Sequence, residues 1–213
     1  MFKRLVSLLI GAAAASLAFL APAAAEAAKI VAFGDSLMAG YQLSPGESFP
    51  EKLEEALREK GHDVVISNAG VSGDTTTGGL ARLDWSVPDD TDLVIVELGA
   101  NDMLRGIAPD VTRRNLDEIL SSLGARGINT VLAGMVAAPN LGPDYAAAFN
   151  PIYEDLADRY DLPLYPFFLE GVAAQRGLLL EDGMHPNAEG VDRMVAGILP
   201  LIEAELDVAS GRD

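Results

Sequence analysis

The chain has 213 residues, about one domain by length and enough to bury a sizeable core. Its 32 acidic residues against 15 basic ones leave a formal charge of −17, which argues against binding nucleic acid or anionic lipid surfaces, since both need a basic face. It has no cysteine and only two histidines, His62 and His185. Disulfides, thiolate nucleophiles, Cys-ligated zinc, iron–sulfur clusters and an acylated lipoprotein cysteine are thereby excluded.

At the start of the chain, Lys3 and Arg4 precede an uncharged apolar run from Leu5 to Leu20. The run ends in Ala21-Pro22-Ala23-Ala24-Ala25. A basic start, an apolar middle and an A-x-A ending describe a secretory signal peptide, cleaved after Ala25 or two residues on at Ala25-Glu26-Ala27. An uncleaved anchor is the competing reading, because the run approaches a membrane-spanning length. Its alanine richness and Pro22 favour cleavage. Residues 1–25 are thus expected to be a leader, and 26–213 a single domain that is periplasmic or secreted and without a stable membrane anchor. Losing Lys3 and Arg4 makes the remainder more acidic still.

The rest alternates strands and helices. Lys29–Phe33 reads as a strand. Ser48-Phe49-Pro50-Glu51 is a capping box that opens a helix through Lys60. Asp63–Ser67 is a β-branched strand running into Asn68-Ala69-Gly70, and Leu93–Leu98 is the clearest buried strand. A helix follows from Asp110 to Leu123, then a strand over Thr130–Val136. Tyr145–Tyr160 is expected as one helix, Leu162–Tyr165 as a short strand and Asn187–Leu206 as a last amphipathic helix. This alternation predicts an α/β fold, a parallel sheet covered on both faces. Ligands of such sheets sit beyond the carboxyl ends of the strands.

Four strand-end loops carry chemistry. In Gly34-Asp35-Ser36-Leu37, Ser36 follows a strand where the chain turns into a helix, which suits an exposed nucleophile or a plain helix cap. The G-x-S-x-G elbow is absent. In Asn68-Ala69-Gly70-Val71-Ser72-Gly73-Asp74-Thr75, the Gly73 N–H can donate to an oxyanion, or the segment is simply a turn. In Gly99-Ala100-Asn101-Asp102, Asn101 is an amide donor of the kind acyl transfer needs, or a turn former. In Asp182-Gly183-Met184-His185-Pro186-Asn187, Asp182 can hold His185 Nδ1 and free Nε2 to take a serine proton. His185 as a lone surface residue is the alternative. His62 precedes a strand, away from the functional end of the sheet, and reads as structural or exposed. With two separated histidines and no cysteine, no metal or other cofactor is expected.

Together these blocks resemble the SGNH subgroup of the GDSL lipase/esterase family, nearest to its exported bacterial arylesterase, lysophospholipase and acyl-thioesterase I members. The likeness covers essentially all of the chain after residue 25 and extends to Gly40-Tyr41, Gly79-Leu80-Ala81-Arg82-Leu83, Leu104-Arg105-Gly106 and Leu162–Phe168. It implies a three-layer α/β/α sandwich of flavodoxin-like topology, with Ser36 as nucleophile, His185 as base and Asp182 as its orienting acid. It also assigns the oxyanion hole to the Ser36 and Gly73 N–H groups and the Asn101 amide. Asp35, beside the nucleophile, is expected to order backbone rather than to serve as the third triad member.

The implied partners are small acyl esters: aryl esters, lysophospholipids and, as a further leaving-group class, acyl thioesters. Export and acidity both disfavour polyanionic acyl-CoA as the working substrate. The loops Val71–Trp85 and Ala137–Phe149 carry Leu80, Leu83, Trp85, Leu141, Tyr145 and Phe149, either as walls of an acyl trench or as core. The competing functions are a carbohydrate acetylesterase and a non-catalytic lipid-binding module.

Overall fold

The computed structural model describes residues 26–210. The expected leader, 1–25, lies outside the described residues. Among these residues five strands form one wholly parallel sheet: β1 (Ala28–Gly34), β2 (Val64–Gly70), β3 (Leu93–Glu97), β4 (Asn129–Ala133) and β5 (Leu164–Tyr165). Their spatial order is β2-β1-β3-β4-β5. This is the flavodoxin-like order, whose direction of winding switches between β1 and β3. Those two strands pair from Ile30 with Leu93 to Gly34 with Glu97, so the loops after them leave the sheet side by side.

The sequence shows why the centre lies there. All five positions of β3 are buried, as are the last five of β1. A central strand covered by helices on both faces shows a continuous apolar run rather than alternation. β2 lies at an edge and leaves positions such as Val65 exposed.

Among the described residues eight α-helices connect and cover the strands: α1 (Ser36–Ala39), α2 (Phe49–Glu59), α3 (Thr76–Ser86), α4 (Ala100–Leu104), α5 (Pro109–Ala125), α6 (Pro143–Phe149), α7 (Pro151–Tyr160) and α8 (Ala188–Ser210). α2 packs with α8, while α5 packs with α3 and α7; the right-handed crossovers of parallel sheets place two such groups on opposite faces. The capping box of α2 forms as expected. The Ser48 backbone N–H and hydroxyl both donate to Glu51 Oε2, at 3.1 and 2.5 Å. The expected α/β sandwich is therefore the fold.

The local differences have identifiable causes. The helix expected over Tyr145–Tyr160 is two helices. Pro151 has no N–H to continue the ladder, and the Asn150 side chain at the break accepts the Ala137 N–H at 2.8 Å. The stretch Val71–Trp85, expected as a loop, is mostly α3. Gly78 and Gly79 weaken its helical signal, but tertiary packing requires a small residue. A Cβ on Gly79 would stand 2.3 Å from Leu98 Cδ1. β2 runs on through Gly70, three residues beyond the expected Ser67, because Ala32–Gly34 of β1 continues to pair with Asn68–Gly70. β4 instead stops at Ala133, short of the expected Val136.

Candidate active site

At the carboxyl end of β1, Asp35 is fully buried and caps α1, its Oδ1 accepting the Leu37 N–H at 3.0 Å. The residue that caps the helix is thus Asp35 and not Ser36. Ser36 is the first helical residue, with its hydroxyl at the end of the sheet. Opposite it, the turn before α8 is tied down at both ends. The Leu180 N–H donates to the His185 carbonyl at 2.8 Å, and the Asn187 N–H to the Leu178 carbonyl at 2.9 Å.

Within that turn one carboxylate organises the imidazole. Asp182 Oδ1 accepts the backbone N–H groups of Met184 and His185, at 2.9 and 3.0 Å. Asp182 Oδ2 lies 2.6 Å from His185 Nδ1, and His185 Nε2 lies 2.9 Å from Ser36 Oγ. Burial acts to raise the Asp182 carboxyl, but the two backbone donors and the imidazole outweigh it and hold the group at about 2. An ionised Asp182 fixes the tautomer, with Nδ1–H donating to it and Nε2 left to accept from the serine hydroxyl. The ring of Tyr41 lies against that of His185, centroids 4.5 Å apart.

Two further loops close the site. Gly73 has a φ of +81°, a conformation other residues adopt only with strain. Its carbonyl accepts from Arg105 Nη2 at 2.5 Å, and among the described residues nothing accepts its N–H. Asn101, the second residue of α4, gives one amide hydrogen to Asp35 Oδ2 at 2.8 Å, which leaves the other amide hydrogen to donate elsewhere. Ser36, Asp35 and Asn101 are therefore linked directly, with His185 and Asp182 joined on through the serine.

Several supporting residues have no role assigned from sequence. Arg82 on α3 is buried and paired with Asp74 at 2.7 Å, while Nη1 and Nη2 donate to the carbonyls of Ala69 and Gly34, both at 2.8 Å. It thus clamps the ends of β1 and β2 to the Gly73 loop. Asp102 ties α4 to α3 by accepting the Thr76 N–H at 2.8 Å and its hydroxyl at 2.5 Å. Glu97, which ends β3, is a fully buried acid directly behind Asp35. Its signal was visible: one carboxyl in the otherwise apolar run LVIVEL.

Of the six side chains named for a trench, Leu83 and Phe149 are core, because α3 and α6 turn them inward. Leu80, Leu141 and Tyr145 lean on that core, while Trp85 is exposed. The exposed apolar side chains on strand-end segments are Tyr41, Val71, Leu104, Val136 and Met184. His62, as expected, stands at the opposite end of the sheet, just before β2. No group of metal-ligating side chains occurs among the described residues.

Comparison with known proteins gives a consistent family. The model of the GDSL-like lipase/acylhydrolase family matches residues 32–193. An arylesterase of Vibrio mimicus is 43% identical over 173 residues, 80% of this chain and 86% of that protein. The thioesterase 1/protease 1/lysophospholipase L1 of Escherichia coli (strain K12) is 37% identical over 184 residues, covering 84% and 87%. The crystal structure of AlinE4, an SGNH-hydrolase family esterase, superposes with a TM-score of 0.72 at 50% identity, over 85% of this chain and 97% of that one. The chain belongs to the GDSL-like lipase/acylhydrolase family and is an acyl-ester hydrolase of the SGNH type.

Proposed function

We propose that the protein is an exported serine esterase in which Ser36 attacks the ester carbonyl, His185 moves the proton and Asp182 orients His185. The observation that carries this reading is the unbroken relay from Asp182 Oδ2 through His185 to Ser36 Oγ, with contacts of 2.6 and 2.9 Å. As Oγ bonds to the carbonyl carbon, its proton passes to Nε2. The negative charge on the former carbonyl oxygen is taken up by the N–H groups of Ser36 and Gly73 and by the Asn101 amide. Collapse of this intermediate expels the alcohol, which takes the proton from Nε2, and leaves an acyl-serine. Water then attacks with Nε2 again as base, releasing the acid and restoring Ser36.

For the substrate, the exposed Tyr41, Val71, Leu104, Val136 and Met184 supply apolar surface around the strand ends for an acyl or aryl group. Small acyl esters suit it: aryl esters and lysophospholipids first, acyl thioesters as a further leaving-group class. Residues 1–25 direct the chain out of the cytosol, to the periplasm or beyond. Among the described residues no helix is long and apolar enough to cross a membrane.

A panel of aryl esters of increasing acyl length, lysophospholipid, acyl-CoA and acetylated sugar, run with wild type beside Ser36→Ala, tests the reading. Hydrolysis of aryl esters and lysophospholipid by wild type alone supports it. Activity confined to acetate favours sugar deacetylation, and equal rates in the two proteins remove Ser36 from the mechanism.

A further inference from the structure

The proposed reaction leaves one buried acid unused. Glu97 ends β3 with its side chain wholly enclosed. Its Oε2 accepts the Asp35 N–H at 3.2 Å, while Oε1 meets no donor among the described residues. Its carboxyl also contacts that of Asp35, which is just as deeply buried.

Two adjoining buried anions repel one another and both lose hydration, so one of the pair keeps a proton. The surroundings decide which. Asp35 is met by donors, the Leu37 N–H at 3.0 Å and the Asn101 amide at 2.8 Å, with His185 just beyond. Glu97 faces Asp35 from the end of β1 and Tyr153 from α7, with Asp102 beyond, and no cation bonds it among the described residues. The Tyr153 hydroxyl donates instead to the Leu98 carbonyl at 2.9 Å. Burial, and then the charge of Asp35, push the Glu97 carboxyl well above the ordinary range.

We propose that Glu97 is a positioning residue: its carboxyl O–H donates to the Asp35 carboxylate, which in turn holds the Asn101 amide and the Ser36 turn in place for ester hydrolysis. This rests on the assignment of Asn101 to the oxyanion. It gives the acid a task distinct from packing, because a neutral donor keeps Asp35 charged and able to accept. An apolar residue in its place leaves that carboxylate buried with one donor fewer, so Asp35 takes up a proton at higher pH and competes less well for the Asn101 hydrogen.

Glu97→Gln and Glu97→Leu separate this role from a merely structural one. Glutamine keeps both contacts, its carbonyl accepting the Asp35 N–H and its amide donating to the carboxylate. The infrared spectrum of wild type at neutral pH is expected to show the carbonyl band of a buried protonated carboxylic acid, absent in Glu97→Gln. With an aryl ester, Glu97→Gln is expected within about threefold of wild type. Glu97→Leu, checked for folding by circular dichroism, should lose on the order of tenfold to a hundredfold in kcat with little change in KM. Its acid limb should move to higher pH. Absence of the band overturns the proposal whatever the enzyme hydrolyses and whether or not Glu97→Leu folds. Coincident rates and pH profiles for the two variants overturn it as well. Failure of the esterase reading is separate, showing as activity that survives Ser36→Ala.

Discussion

Each histidine of this protein stands beside a carboxylate, yet only one of the two pairs has a serine in line on the other ring nitrogen among the described residues. His185 meets Asp182 at 2.6 Å, and its other ring nitrogen reaches Ser36 at 2.9 Å. His62 meets Glu203 at 3.6 Å, and its buried Nδ1 has no hydrogen-bond partner among the described residues. The Asp182 turn places two backbone N–H groups on the same carboxylate, so the acid, the backbone and the ring are held together. Glu203 projects from α8 toward a connection at the other end of the sheet, where no serine stands against the ring among the described residues. An imidazole–carboxylate contact is common chemistry; a third group in line on the free nitrogen is what makes it capable of proton transfer.

Substitutions should widen or collapse that contrast. Ser36→Ala and His185→Ala are each expected to lower kcat for an aryl ester by about 10⁴-fold or more, and the double variant should be little worse than either, since the two act as a unit. Additive losses in a double-mutant cycle would break the account of a shared relay. For Asp182→Asn the loss should also be about 10⁴-fold, because an amide can favour the wrong imidazole tautomer.

Asp182 also links activity to stability. Its folded carboxyl titrates at about 2, below its unfolded value, so its stabilising effect is complete above the ordinary carboxylate range. That effect is lost as pH falls through about 2. Urea unfolding at stepped pH should show wild type more stable than Asp182→Asn at neutral pH, with the gap closing between about pH 4 and pH 2. A gap that widens on acidification would reverse the sign assigned to this carboxylate.

Asn101→Ala is expected to cost on the order of a hundred- to a thousandfold in kcat with KM nearly unchanged, as for the loss of one oxyanion donor. A rise in KM alone would move Asn101 from the transition state to substrate binding. The smallest effect belongs to His62→Ala, whose kcat should stay within about twofold of wild type, any cost appearing as stability.

The sequence made the working edge of the sheet legible because its signals there are local. Ser36, Gly73 and Asn101 follow a strand or open a helix, Asp182 and His185 sit in the turn before α8, and turn chemistry marks such positions. The capping box at Ser48 was legible for the same reason. What stayed hidden depends on contacts far along the chain. Arg82 looks like an ordinary helix arginine until the fold brings Asp74 and the carbonyls of Gly34 and Ala69 around it. Likewise α3 was masked by Gly78 and Gly79, whose missing Cβ atoms leave room for Asp74 and Leu98 respectively. Leu83 and Phe149 could be wall or core from sequence, because apolar residues beside a site suit either until the helix rotation is known.

The central claim is that Ser36 alone carries the acyl group. It is tested most directly by inactivating the enzyme with an aryl phosphonate and locating the adduct by mass spectrometry of its peptides. A phosphonyl group on Ser36, at one per chain, with release of one equivalent of phenol and no labelling of Ser36→Ala, is the predicted result. Stoichiometric labelling at any other residue, or hydrolytic activity retained by the fully labelled protein, would contradict it.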